Sequence, residues 1–202
     1  MSRIFIITFL INYSLFAQKS SLEIGLLRSN FIYQNAFQDN DITFGANPSL
    51  TLNYMIQSDS SKFGYGITYQ EYNSKAVDGG QIYSWNTNYL GPKITFKAIS
   101  LKSFDVQLGI SALSLIDGRQ LINGSTYNLS KSSEFNGLWL SPTIEFNLGL
   151  LNINKNRISI KYCLSNSLKI GNQGNERLRF FNHAILFVFD IEKSKNETID
   201  EL

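Results

Sequence analysis

Residues 63–72 read FGYGITYQEY, in which Phe63, Tyr65, Ile67 and Tyr69 alternate with Gly64, Gly66, Thr68 and Gln70. A period of two puts successive side chains on opposite faces of an extended chain, so the stretch is a β-strand with one apolar and one polar face. The pattern constrains the fold because it recurs along the chain. Leu22, Ile24 and Leu26 share a face in SSLEIGLL, and Leu50, Leu52, Tyr54 and Ile56 share one in PSLTLNYMI. Leu90, Pro92, Ile94 and Phe96 do so in YLGPKITFKA, and Phe104, Val106, Leu108 and Ile110 in FDVQLGISA. Leu138, Leu140, Pro142, Ile144 and Phe146 line one side of LWLSPTIEFNL, and Ile158, Ile160, Tyr162 and Leu164 one side of RISIKYCL. The last segment, FFNHAILFVFDI, sets Phe181, Ile185, Phe187, Phe189 and Ile191 on one face with His183. Eight alternating segments make an all-β chain, and an even number suits closure with both ends on one side.

The connections carry a second pattern. In order they span about residues 30–47, 57–62, 73–81, 99–103, 116–136, 151–156 and 166–179, so the odd-numbered ones are longer and the even-numbered ones short. An up-and-down barrel gathers odd connections at one end and even ones at the other. Transmembrane barrels combine short periplasmic turns with longer external loops. Greek-key sandwiches have no reason to produce that alternation.

The polar strand faces indicate what the barrel encloses. They carry Glu23, Lys93, Lys97, Asp105, Glu145, Lys161 and Asp190, interleaved with Gly25, Gly64, Gly66, Gly91 and Gly109. Solvent-facing strand positions have little use for glycine, whereas the inside of a narrow barrel does. About eight strands leave a lumen that side chains can fill. Glu23, Lys93, Lys97, Asp105, Glu145 and Lys161 are therefore expected to form a paired charge network in the lumen, without a continuous water channel. Tyr69, Tyr72, Tyr83, Trp85 and Tyr89 cluster near one rim and Phe104, Phe146 and Phe189 near the other, which reads as two belts of interface aromatics. Pro92 and Pro142 each remove a ladder donor, and a bulge is expected beside each.

The N-terminus, MSRIFIITFLINYSLFAQ, has one early cation, an apolar stretch and a small residue before Gln18. That is the form of a cleaved secretory signal, and it is short of the ~20 apolar residues of a membrane helix. The organisation expected is a signal peptide over 1–17, a barrel over 18–191 and a short polar tail over 192–202. Lys and Arg number 18 against 16 Asp and Glu with no basic block, which speaks against a nucleic-acid partner. The one cysteine, Cys163, excludes an internal disulfide.

With these residues the chain resembles the small eight-stranded outer-membrane barrels of Gram-negative bacteria, the OmpA-transmembrane and OmpX-like class, over residues 20–191. The resemblance implies an antiparallel up-and-down transmembrane barrel in the outer membrane, surrounded by outer-membrane lipid and inserted by the barrel-assembly machinery. In that class the last strand ends in an aromatic at the C-terminus. Phe187 and Phe189 match, although SKNETIDEL continues past them. No peptidoglycan-binding domain is expected in so short a tail.

Catalytic and metal sites were weighed against the same residues. Barrel enzymes acting on lipid A need His, Ser and an acid in reach of one another. His183 is the only histidine, and His183-Ala184-Ile185 lacks the serine two residues on. QDNDIT, with Asp39 and Asp41, lacks the glycine and the final glutamate of a calcium loop. The chain is thus expected to be non-enzymatic and without a cofactor, acting in envelope integrity or in surface interaction through its long loops. The alternatives are a secreted, soluble lipocalin-like barrel that binds a small apolar ligand, and a lipid A-modifying barrel enzyme.

Overall fold

The computed structural model describes residues 19–35, 44–57, 61–153, 156–171 and 176–192. The signal segment 1–17, the tail beyond 192 and the QDNDIT stretch lie outside the described residues. The strands are β1 (Lys19–Asn35), β2 (Gly45–Ala46), β3 (Pro48–Gln57), β4 (Phe63–Asp78) and β5 (Gln81–Ser100). They continue with β6 (Phe104–Ile122), β7 (Ser125–Asn128), β8 (Leu138–Ile153), β9 (Asn156–Lys169) and β10 (Glu176–Glu192). Eight of them are long. β2 and β7 are short additions to the edges of β4 and β6.

Each long strand pairs antiparallel with its sequence neighbours. β1 also pairs with β10, from Lys19 opposite Glu192 to Asn35 opposite Glu176, which closes the ring. The fold is an eight-stranded, antiparallel, up-and-down barrel. Closure leaves no unpaired edge along the long strands.

Both described chain ends, Lys19 and Glu192, sit at one end of the barrel with the strand ends Gln57 and Phe63, Ser100 and Phe104, and Ile153 and Asn156. The other end differs from the expectation in one place. The third connection is no medium loop over 73–81. β4 and β5 run on to a two-residue turn at Gly79 and Gly80, with φ of +54° and +78°. Those left-handed angles suit the twist of a hairpin and favour glycine. A second such turn, at Asn123 and Gly124, folds β7 back onto β6.

The prolines also depart from expectation. Pro92 stands opposite Ile67 and Pro142 opposite Ile110, with no register shift at either. The shifts fall at Asn88/Tyr89 and Lys97/Ile99 between β5 and β6, and at Gly149/Leu151 between β8 and β9. Each proline lies on the outward face, and the strand keeps its phase across it.

Period-two chemistry maps directly onto inside and outside. Glu23, Lys93, Glu145 and Lys161 are buried, as are Thr51, Asn53, Thr68, Thr143, Ser165 and Asn182. Leu22, Ile24, Leu26, Leu90, Ile94, Leu108, Ile110, Ile144, Ile185, Phe187 and Phe189 are exposed on the exterior. Gly25, Gly66 and Gly91 line the inside where a neighbouring strand comes close. A Cβ there would run into the carbonyl oxygens of Ile185, Tyr54 and Ala112 respectively.

This polarity overturns the lipocalin-like alternative, which needs the apolar face inside and a ligand cavity behind it. Large apolar side chains are exposed on all eight long strands, whereas monomeric soluble proteins rarely expose one large contiguous apolar patch. The exterior is a surface for lipid.

Candidate functional site

The lumen is filled in two layers with a cup above them. In the layer nearer the short connections, the Lys161 ammonium lies between Glu23 Oε1 and Glu145 Oε2, the latter at 3.0 Å. Lys93 reaches Glu145 Oε1 at 2.5 Å, and Asn53 Nδ2 donates to Glu23 Oε2 at 2.7 Å. Two carboxylates and two ammoniums thus cancel in a space withdrawn from water, where an unmatched charge is costly.

Asp105 stands outside this quartet. Arg157 Nη1 approaches its Oδ2 at 3.4 Å, and Ser100 Oγ donates to Oδ1 at 2.7 Å. Lys97 lines a small polar space of about 40 Å³ with Asp105 and Arg157, and forms no ion pair among the described residues. The expected six-residue network therefore divides. Arg157 takes the place given to Lys97; the β5–β6 register shifts just beyond Lys97, between Lys97 and Ile99. Lys19 and Asp190, 3.1 Å apart, add a pair at the same rim.

The second layer is aromatic. Phe180 from β10 stands at its centre. Its ring centroid is 4.5 Å from Trp139, 4.6 Å from Tyr72 and 4.7 Å from Phe31. Tyr89, Leu113, Leu27 and Leu186 complete the packing. The polar tips are satisfied: Tyr72 donates to Gln70 Oε1 at 2.5 Å and lies 3.1 Å from Ser167 Oγ. Tyr89 Oη and Trp139 Nε1 both donate to the Phe135 carbonyl, at 3.2 and 2.9 Å. Those two bonds tie the 129–137 segment down over the barrel.

Four of the residues read as interface aromatics are therefore corrected: Tyr72, Tyr83, Trp85 and Tyr89 point inward. The reason is parity. Tyr83, Trp85 and Tyr89 share odd positions of β5 with Lys93, so the face that buries the lysine buries them as well. Tyr69 does face outward, donating from Oη to Glu71 at 3.0 Å. Phe104, Phe146 and Phe189 lie on the exterior at the opposite end, with Phe104 and Phe146 stacked at 6.5 Å.

Above the aromatic layer lies a cup of about 250 Å³, open at the end with the long connections. Phe31 forms its floor, and Phe44, Tyr83, Trp85 and Phe135 form its walls, with Asp78 and Glu134 at the lip. Tyr83 and Trp85 stack 12° from parallel at 5.9 Å, and Phe44 lies 5.4 Å from Trp85. Ser132 Oγ donates to Glu134, which holds this carboxyl below the usual carboxylate range. The sequence reading did not single out this cup. Its signal was present in the inward parity of Tyr83 and Trp85.

His183 faces the exterior. Its Nδ1 is 2.8 Å from Tyr162 Oη, and Phe181 meets its ring edge-on at 4.9 Å. Among the described residues no serine or carboxylate is within hydrogen-bond reach of it. Cys163 is buried in the lumen wall.

Solved structures with this architecture include Ail, the attachment invasion locus protein of Yersinia pestis, in complex with the heparin analogue sucrose octasulfate. That likeness has a TM-score of 0.54 at 10% identity and covers 86% of this chain and 98% of that one. Neisserial surface protein A is similar with a TM-score of 0.55 at 8% identity, over 86% of this chain and 97% of that one. The outer membrane protein OprG of Pseudomonas aeruginosa gives 0.54 at 10% identity, over 88% and 97%. No family model and no curated protein matches the chain. At these identities the likeness speaks for architecture: the chain has the fold of the small eight-stranded outer-membrane barrels.

Proposed function

We propose that this chain is a non-enzymatic outer-membrane barrel that acts by contact at its outward mouth, in surface interaction or envelope integrity. The observation that carries this reading is the filled lumen. The Glu23–Lys161–Glu145–Lys93 layer and the Phe180-centred layer lie one above the other across it. The larger of the described lumenal spaces is the cup at the end with the long connections. In a transmembrane barrel that end is the external one. Outer-membrane lipid around the apolar belt and the barrel-assembly machinery during insertion are the partners this reading brings.

Sucrose octasulfate is bound by Ail and is not carried over to this chain. The cup presents carboxylates, Asp78 and Glu134, where a sulfated ligand would need cations.

The test is conductance across a planar bilayer, using protein whose band shifts between unboiled and boiled SDS samples. Folded barrel with no current steps above the lipid baseline is the expected result. Discrete, reproducible steps would overturn it and make the charged layer part of a pore.

A further inference from the structure

The cup combines two features that separately mean little. Five aromatic rings line a space of about 250 Å³, and the titratable groups on its lining other than Tyr83 are the carboxylates of Asp78 and Glu134. Neither carboxylate forms an ion pair among the described residues. Lys169 lies close enough to act electrostatically on Glu134, but directs its ammonium to the Ser133 carbonyl. Among the described residues no basic side chain lines the cavity.

From this lining we infer that the cup binds small organic cations, molecules with an ammonium head on an apolar body. The inference rests on the reading that the outward mouth is the working surface. Aromatic faces are negative at their centres and attract cations, most strongly alkylated ammonium groups that shed water easily. Carboxylates at the lip add attraction of the same sign and repel anions. A neutral apolar molecule would meet the same rings but would desolvate Asp78 and Glu134 without compensation.

Size narrows the class further. A cavity of about 150 Å³ holds one benzene ring, so about 250 Å³ accommodates one ring or branched head with a short chain. The geometry divides the roles. The stacked pair Tyr83 and Trp85, with Phe44 against Trp85, offers π faces, while the carboxylates stand at the open side.

The probe is choline, with 3,3-dimethyl-1-butanol as its uncharged counterpart of nearly the same shape. Full-length barrel in nanodiscs is titrated by calorimetry at low ionic strength. The expected result is saturable heat with choline and at least tenfold weaker binding of the alcohol. The pair Asp78→Asn with Glu134→Gln should weaken choline at least tenfold, and Trp85→Leu should do the same. The SDS heat shift of each variant establishes that it is folded. Should Trp85→Leu not fold, the carboxylate pair on exposed positions still decides.

Equal binding of alcohol and cation, choline heat unchanged by the carboxylate pair, or no heat from folded protein would each overturn the inference. Conductance separates the two levels of argument. A silent bilayer with no choline heat removes this inference alone, whereas current steps remove the reading of the mouth as the working surface.

Discussion

The two lumenal layers occupy the same barrel and fill it by opposite means. Near the short connections, the quartet of Glu23, Lys93, Glu145 and Lys161 works only as a balanced set. Each member is buried, so its partner's removal exposes a full desolvation penalty. Near the long connections, Phe180 is surrounded by Trp139, Tyr72 and Phe31 through contacts that weaken by degrees. A charged layer fails when any member is lost, whereas an aromatic layer loses stability in proportion to the volume removed. The difference suits their positions. The charged lock lies nearer the short connections, and the ring packing lies beneath the cup at the other end.

The largest effect is expected from breaking the lock. Glu145→Leu leaves Lys93 and Lys161 with Glu23 as their only described carboxylate in the layer, and should cost about 3–5 kcal/mol. Urea unfolding of the refolded barrel, followed by tryptophan fluorescence, measures it. Adding Lys93→Met removes one orphaned ammonium and keeps the Glu23–Lys161 pair, so most of the stability should return. A single variant that loses less than about 1 kcal/mol would mean that water reaches these charges, and the contrast between the layers would collapse.

A comparable test belongs to the exterior. Ile144 precedes Glu145 on β8, and its side chain points the other way, exposed to the outside. Ile144→Arg should destabilise the bilayer-embedded barrel by about 2–4 kcal/mol if the position lies near the midplane. In a water-facing surface the same change would be close to neutral. Within the aromatic layer, Tyr72→Phe keeps the ring and removes the bonds to Gln70 and Ser167, for an expected loss of about 1–2 kcal/mol. A loss as large as that of Glu145→Leu would show that this layer, too, depends on a polar lock.

Residue chemistry made much of this legible. Strand count, antiparallel order and the polarity of inside and outside all follow from the alternation, because a one-residue slip would invert every strand face. The alternation of connection lengths followed as well, apart from the hairpin that runs to Gly79 and Gly80. What escaped was depth along the barrel and phase at the bulges. Tyr72 and Tyr89 read as rim aromatics from their clustering near a connection, although their parity with Gly66 and Lys93 places them inside. The division of the charge network could not be read in this way. Which lysine reaches which carboxylate depends on the stagger between strands, and the β5–β6 register shifts by a residue just beyond Lys97. Arg157 was passed over for the same reason, since its partner Asp105 is distant in sequence.

The smallest expected effect tests that division most sharply. Lys93 and Lys97 lie on the same strand, on the same inward face, four residues apart. Only Lys93 is fully enclosed, with Glu145 at 2.5 Å, while Lys97 is half-buried beside the polar space at the barrel end. Lys97→Met should change stability by no more than about 0.5 kcal/mol, as for surface positions without a special partner. Lys93→Met should weaken the barrel clearly, because Glu145 then keeps Lys161 alone. The same urea titration decides. Equal losses would place Lys97 inside the balanced set, enlarge the lock from four groups to five, and extend the charged layer to the barrel's end.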